Sequence, residues 1–379
     1  TGDEVEFALD QGIVQSNGRQ ETISEIELEL KSGQPERLFE LALQLQKKIP
    51  VRIANISKAQ RGYALYRPLP SPPAAVKAVK LKLPARLSTE QAFRAIIANC
   101  LTQMQGNEAG VAVSDDPECL HQMRVGLRRL RSALSLYKDL IAAPIQTQQD
   151  IDWLSAQLGA ARDWDVLAHS TLPAVAGVAE ADLQIAPLRS AALMQAGSKH
   201  EAASAAVQSP RYARLLLGLS ARAHGVAWSG LGQQTDLQAL DKPVGDFANE
   251  MVARARNRLR KRGKHVYPAN VPTQAQALHR LRIAAKKLRY TTEFFHSLYA
   301  SRRVQPYVAA LTNLQDALGR LNDAAIATGL LKQLLHAQAG LDSAASFVRG
   351  YLASCTEHEA AGLEELWQEF SAMKALGKA

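Results

Sequence analysis

The chain has 379 residues, 47% hydrophobic and 21% charged, which excludes a disordered polymer and allows two or three domains with a sizeable core. No apolar run approaches the ~18 residues of a membrane-spanning helix, and the opening residues lack a basic-then-apolar signal pattern. The net charge of +9 is uneven: residues 1–66 carry net −2 and residues 67–379 net +11, so the body calls for an anionic partner.

Three cysteines, Cys100, Cys119 and Cys355, form no CxxC pair and fit a reducing cytoplasm rather than a disulfide framework or a zinc site. Aromatic residues are 6% of the chain and do not alternate with the basic clusters, which weighs against a stacking platform for single-stranded nucleic acid. Thr1 is followed at once by a strand-like run, from which we expect an upstream part.

Residues 4–9 and 23–31 alternate polar with apolar, the period of strands, and Asn17-Gly18 is a hairpin turn signal between them. In "EIELELK" the three carboxylates Glu25, Glu27 and Glu29 share one strand face. That face is either an acidic solvent face or a set of hard ligands suited to Mg²⁺ or Mn²⁺. Residues 35–48 predict an amphipathic helix opened by Pro35. A Pro-rich stretch at 67–75 then marks a linker over 67–87, in which "VKAVKLKL" predicts one short strand. Ser88 with Gln91 is a capping box, and the remainder predicts about ten helices.

Within these helices "HQMRVGLRRLR" (121–131) returns as "HRLRIAAKKLR" (279–289), 158 residues later. "LGAARDWD" (158–165) returns as "LGRLNDAA" (318–325), 160 residues later. A chance second match at several fixed positions is rarer than duplication, so the body divides into two halves, about 88–235 and 236–379, related by a pseudo-two-fold axis. On a helical projection His121, Arg124, Arg128 and Arg131 fall within a stripe about 80° wide beside a leucine face. His279, Arg282, Lys286 and Arg289 make the same stripe, while Arg129 and Lys287 point elsewhere.

Four cations or hydrogen-bonding groups on one stripe repel one another, with no acidic residue inside either motif to relieve them. Either the stripes are solvated faces or a ligand supplies the negative charge; Arg offers forked donors to phosphate, Lys a point charge and His a pH-sensitive donor. Arg254 and Arg258 (with Lys261 on the same side), Arg211 and Arg214 are each read as solvated surface or as supporting ligand contacts, with Arg349 as a second-half counterpart. Asp163 and Asp323 are read as carboxylates that orient the motif arginines. No nucleophile–base pair is evident, so binding is favoured over catalysis.

The histidine-centred repeat, "LGAARDWDV" and "LHRLRIAAKKLRY" resemble the CHAD domain, the conserved-histidine α-helical domain, over residues 88–379. The resemblance implies a mainly α fold of tandem pseudo-symmetric four-helix bundles around a basic cavity that binds inorganic polyphosphate through the two motif stripes. Residues 1–66 resemble the C-terminal half of a CYTH domain, the triphosphate tunnel fold, through "VEFALDQG", "SEIELELKSG" and "SKAQRGYAL". That implies an α+β fragment of a β-tunnel, with Glu25, Glu27 and Glu29 on a metal and Lys58 and Arg61 on phosphate. The family's N-terminal ExExK strand is absent and about four of some eight strands are countable, so we expect an intact parent that is a metal-dependent triphosphatase and a chain that by itself hydrolyses little. The CHAD part needs no cofactor. The partners implied are polyphosphate, its granules in the cytoplasm and triphosphate as substrate; nucleic acid rests only on a pI of about 9.4 and an Arg-rich helix, and no membrane role is expected.

Overall fold

The computed structural model describes residues 2–67, 73–113, 116–179, 185–227, 237–264, 266 and 274–377. Most of the Pro-rich stretch and the expected boundary near 235 lie outside the described residues. β1 (Glu4–Ser16) and β2 (Arg19–Ser32) form an antiparallel hairpin. Asn17 and Gly18 between them have φ of 50° and 72°, the mirror-type turn whose twist matches the strands. Both strands run longer than the alternating segments that predict them. α1 (Glu36–Gln46) starts after Pro35, and Leu38, Phe39 and Leu45 share a cavity of about 1140 Å³ with Leu9, Ile26 and Leu28 of the hairpin. α2 (Lys58–Tyr66) opens on a Ser57–Gln60 capping box and packs on both strands.

Two strands, not about four, are present among the described residues, and "VKAVKLKL" is not one of them. Its backbone is clamped by side chains instead. Asn107 Nδ2 donates to Val76 O at 2.8 Å and its Oδ1 accepts from Val76 N at 2.9 Å. Asn99 Nδ2 donates to Val79 O at 2.9 Å, and Ser297 Oγ accepts from Leu83 N at 2.8 Å. An extended segment whose polar groups are met this way needs no neighbouring strand.

The helical body begins at the predicted capping box of Ser88 and Gln91. Its first half holds α3 (Thr89–Gly106), α4 (Glu108–Val113), α5 (Pro117–Tyr137), α6 (Ile145–Val166), α7 (Leu172–Ala176), α8 (Ile185–Val207) and α9 (Pro210–Ala223). The second holds α10 (Leu237–Asp241), α11 (Val244–Gly263), α12 (Gln274–Phe294), α13 (Ser301–Ala337) and α14 (Asp342–Ala372). α3 packs on α5, α5 on α6 and α6 on α8; α11 packs on α12, α12 on α13 and α13 on α14, so each half repeats one packing order. The halves are joined where α3 and α11 start: Thr89 N donates to Lys242 O and Val244 N to Leu87 O, both at 2.9 Å. α5 also packs on α12, and α6 on α13.

Buried apolar residues fall into two clusters that each draw on both halves. One joins Phe93, Leu120 and Leu158 with Leu281, Leu311 and Leu318; the other joins Trp164, Leu172 and Leu188 with Leu331, Ala345 and Val348. On α6 the first ends at Ala161 and the second starts at Trp164; on α13 the break lies between Leu321 and Ala327. Arg162, Asp163, Asn322 and Asp323 occupy those breaks, so a polar level separates the two apolar layers.

Candidate functional site

α5 is opened by Asp116, whose side chain accepts from Glu118 N at 2.8 Å, with Pro117 in its first turn. Its rotation is fixed by Leu120, Met123, Leu127, Leu130 and Leu134, none more than 8% exposed. Each contributes ~1.5–3 kcal/mol of burial, far more than the repulsion along the adjacent stripe. Leu281, Ala285 and Leu288, all fully buried, hold α12 in the same way. The neighbouring Arg124, Arg128, Arg282 and Lys286 are consequently partly buried, Arg124 and Arg282 being 24% and 17% exposed, and converge from the two halves.

Arg124 Nη2 stands 3.5 Å from Asp163 Oδ1, and Arg282 Nη2 stands 4.0 Å from Asp323 Oδ1, at the two aligned positions of the repeat. Both are ion-pair contacts. Gly159 makes room for Arg124, since a Cβ there would lie 2.5 Å from Nη1. Two carboxylates face four cations, and the deficit shows. Burial lowers the pKa of Arg124, with Arg128, Arg282 and Arg162 adding repulsion. Burial likewise lowers Arg282. Lys286 is pushed down to about 7, first by burial and then by Arg282, Arg128 and Arg124. The Nε atoms of Arg128 and Arg282 are buried without a hydrogen-bond partner. Burial also raises the Asp163 carboxyl, partly offset by Arg124.

The rest of each stripe sits differently. His121 is half-buried near Arg162, Arg128 and Arg124, and burial lowers its pKa; His279 is exposed. Arg131 pairs with Asp152 at 2.8 Å, and Arg289 pairs with Glu293 at 3.6 Å and lies over the Tyr290 ring at 5.2 Å. Arg131 also acts on Lys287 together with Arg258 and Lys138, a second, more open cationic group. The sequence reading sends Lys287 away from the stripe and misses Arg162; adjacency of Arg162 to Asp163 was the available signal.

The supporting cations are mostly engaged elsewhere. Arg211 bonds Asp150 at 2.6 Å and lies 4.4 Å over Trp153, about 20 Å along α6 from Asp163. Arg214 is exposed on α9, and Arg254 is exposed and paired with Glu250 at 2.5 Å. Arg129 is 6% exposed, donates to Gln103 at 2.9 Å and Asn99 at 2.6 Å, and lies over Phe294. Arg129→Ala is expected to lower folding stability by about 1–3 kcal/mol by orphaning those amides, read as a fall in the urea midpoint.

On the hairpin, Asp10, Glu25 and Glu27 converge to within 4.8 Å. The ammonium of Lys58 lies among them, bonded to Asp10, 2.8 Å from Glu27 and 3.2 Å from Glu25. Arg61 pairs with Glu21 at 3.2 Å and Glu25 at 3.3 Å. Glu29 is drawn off to Lys31 at 3.0 Å. The acidic face is thus closed by its own cations, and Lys58 stands where a divalent ion would stand.

A family model for the CHAD domain matches residues 95–332. The crystal structure of the CHAD domain from the plant Ricinus communis is 38% identical, covering 81% of this chain and 99% of that one, with a TM-score of 0.71. PptA from Streptomyces chartreusis shares the fold at 16% identity and a TM-score of 0.55, covering 75% and 99%. No helix among the described residues is long and apolar enough to cross a membrane. Matched by that family model over more than half its length and 38% identical to the Ricinus communis domain, this chain belongs to the CHAD domain family.

Proposed function

We propose that this chain binds inorganic polyphosphate in the polar level between its two pseudo-symmetric halves. One observation carries the reading: Arg124 and Arg128 of α5 meet Arg282 and Lys286 of α12 with, among the described residues, Asp163 and Asp323 to offset them. A site that holds like charges partly out of water is stabilised by a ligand of opposite charge, and a linear anion with a charge on every unit matches a row of cations on two helices. Arg131, Lys138, Lys287 and Arg258 extend the same sign beyond the cluster. Granule association in the cytoplasm follows from the same property.

The test is a titration of the full chain with long-chain polyphosphate over rising salt. Counterion release predicts that log affinity falls linearly with log salt, with a slope near the number of phosphates contacted, about four or more. A slope near zero sinks the reading. Duplex DNA of matched charge should be displaced by the polymer; the reverse outcome favours nucleic acid.

The convergence of Asp10, Glu25 and Glu27 motivates a second reading, Mg²⁺- or Mn²⁺-assisted triphosphate hydrolysis in a larger parent. Because the Lys58 ammonium already occupies the space among the three carboxylates, their arrangement here does not fit a resident ion, and no step is derived through one.

A further inference from the structure

A cavity of about 860 Å³ opens beside the cluster, lined by α12, α13 and α14. His279, Arg282, Arg349 and the carboxylate Glu357 are its charged lining residues, and Leu318, Leu321 and Leu352 are among its walls. The first half is filled differently at the matching positions. The 160-residue step that relates Asp163 to Asp323 sets Trp164 against Ala324, Asp165 against Ala325 and Arg189, not Arg211 or Arg214, against Arg349. The step also holds between α8 and α14, where Leu188 and Val348 are both fully buried.

Trp164 is 3% exposed, and Asp165, 2% exposed, bonds His200 at 2.8 Å. Arg189 Nε is committed to Ala168 O at 3.2 Å. In the second half two alanines replace the bulky pair. Arg349 is exposed and has no hydrogen bond or ion pair among the described residues, and Arg282, which faces Asp323 through Nη2, keeps its Nε buried without a partner. The cavity is open to solvent along Ser346, Arg349, Gly350 and Glu357, so it is a groove and not a sealed void. Leucine walls set beside cations in such a groove suit an occupant that brings both an anion and an apolar body.

A bare phosphate chain makes no use of leucine walls. A hydrocarbon would bring no counter-charge to Arg282 and Arg349 of the same lining. We propose that this cavity binds a nucleoside polyphosphate, its heterocycle taking the volume vacated by the Trp164-to-Ala324 difference and its phosphates running onto Arg282 and Arg349. The volume is within the ~300–1,000 Å³ of small-molecule sites. The proposal rests on the phosphate-binding reading of the adjacent cations, not on the polymer.

Calorimetry of the full chain with ATP, inorganic tripolyphosphate and geranyl diphosphate tests it. ATP is expected to bind about tenfold or more tighter than tripolyphosphate, which carries the same number of phosphates. Ala324→Trp, which restores the first-half residue, should remove that advantage and leave tripolyphosphate and long-chain polyphosphate affinities unchanged. Gly350→Leu should do the same; a Cβ at Gly350 meets nothing within 4 Å, so the side chain is tolerated and projects from the lining. Unaltered circular dichroism melts confirm that both variants fold. Equal affinities for ATP and tripolyphosphate, a preference for geranyl diphosphate, or an ATP advantage that survives both substitutions overturns the proposal. Loss of long-chain binding alone, with the ATP advantage intact, would instead sink the function proposed above.

Discussion

Reversing Arg128 and Lys286 together is expected to weaken long-chain polyphosphate binding by a factor of about 100 or more. Each contributes a charge-assisted contact worth ~1.5–3 kcal/mol, and a carboxylate in its place would repel the same phosphate. Neither side chain has a hydrogen bond or ion pair among the described residues, so removing it orphans no protein group, and relief of cationic crowding should leave the fold intact. Arg254→Glu, on an exposed residue already paired with Glu250, is the control and should change affinity by less than about threefold. Arg129, although adjacent to Arg128, cannot serve as one, because it is buried in the α3–α5–α12 contact. Comparable losses in the double variant and the Arg254 control would remove the cluster as the site.

The second large effect is on pH. In the free protein Lys286 sits at about 7, faced by Arg124, Arg128 and Arg282 with Asp323 as the opposing charge. A bound polyanion favours the ammonium form, so binding above neutrality takes up a proton. Affinity should then fall roughly tenfold per pH unit above about pH 7, until the bound-state pKa is passed. Lys286→Arg should flatten that profile, and the enthalpy measured in buffers of different ionisation heat should report the proton. Stability of the free protein runs the opposite way. Below about pH 7 Lys286 is charged both folded and unfolded; between there and its ordinary 10.5 the unfolded chain holds the extra proton, so stability rises with pH. A pH-independent affinity would mean that Lys286 does not touch the ligand.

Much of this was legible because helical period and spacing survive tertiary packing. Asn17-Gly18, the Ser88–Gln91 box and the repeats at 158 and 160 residues led directly to the hairpin, α3 and the two arginine–aspartate pairs. Period failed where the partner was a side chain: the Val/Lys alternation of 76–83 reads as a strand, yet Asn99, Asn107 and Ser297 supply its hydrogen bonds from far along the chain. It also failed at the ends of each stripe. Arg131 keeps its helical angle but is met by Asp152 from α6, and Arg211 by Asp150 and Trp153. Helical projection does not encode which neighbouring helix supplies a counter-charge.

The polar level between the two apolar layers bears on how the molecule would come apart. α6, α8, α13 and α14 each run through both layers as continuous rods, so neither layer can melt without fraying helices that serve the other. A guest held by Arg124 and Arg282 would bear on α6 and α13 through Asp163 and Asp323, and so on both storeys of the building while touching only the floor between them.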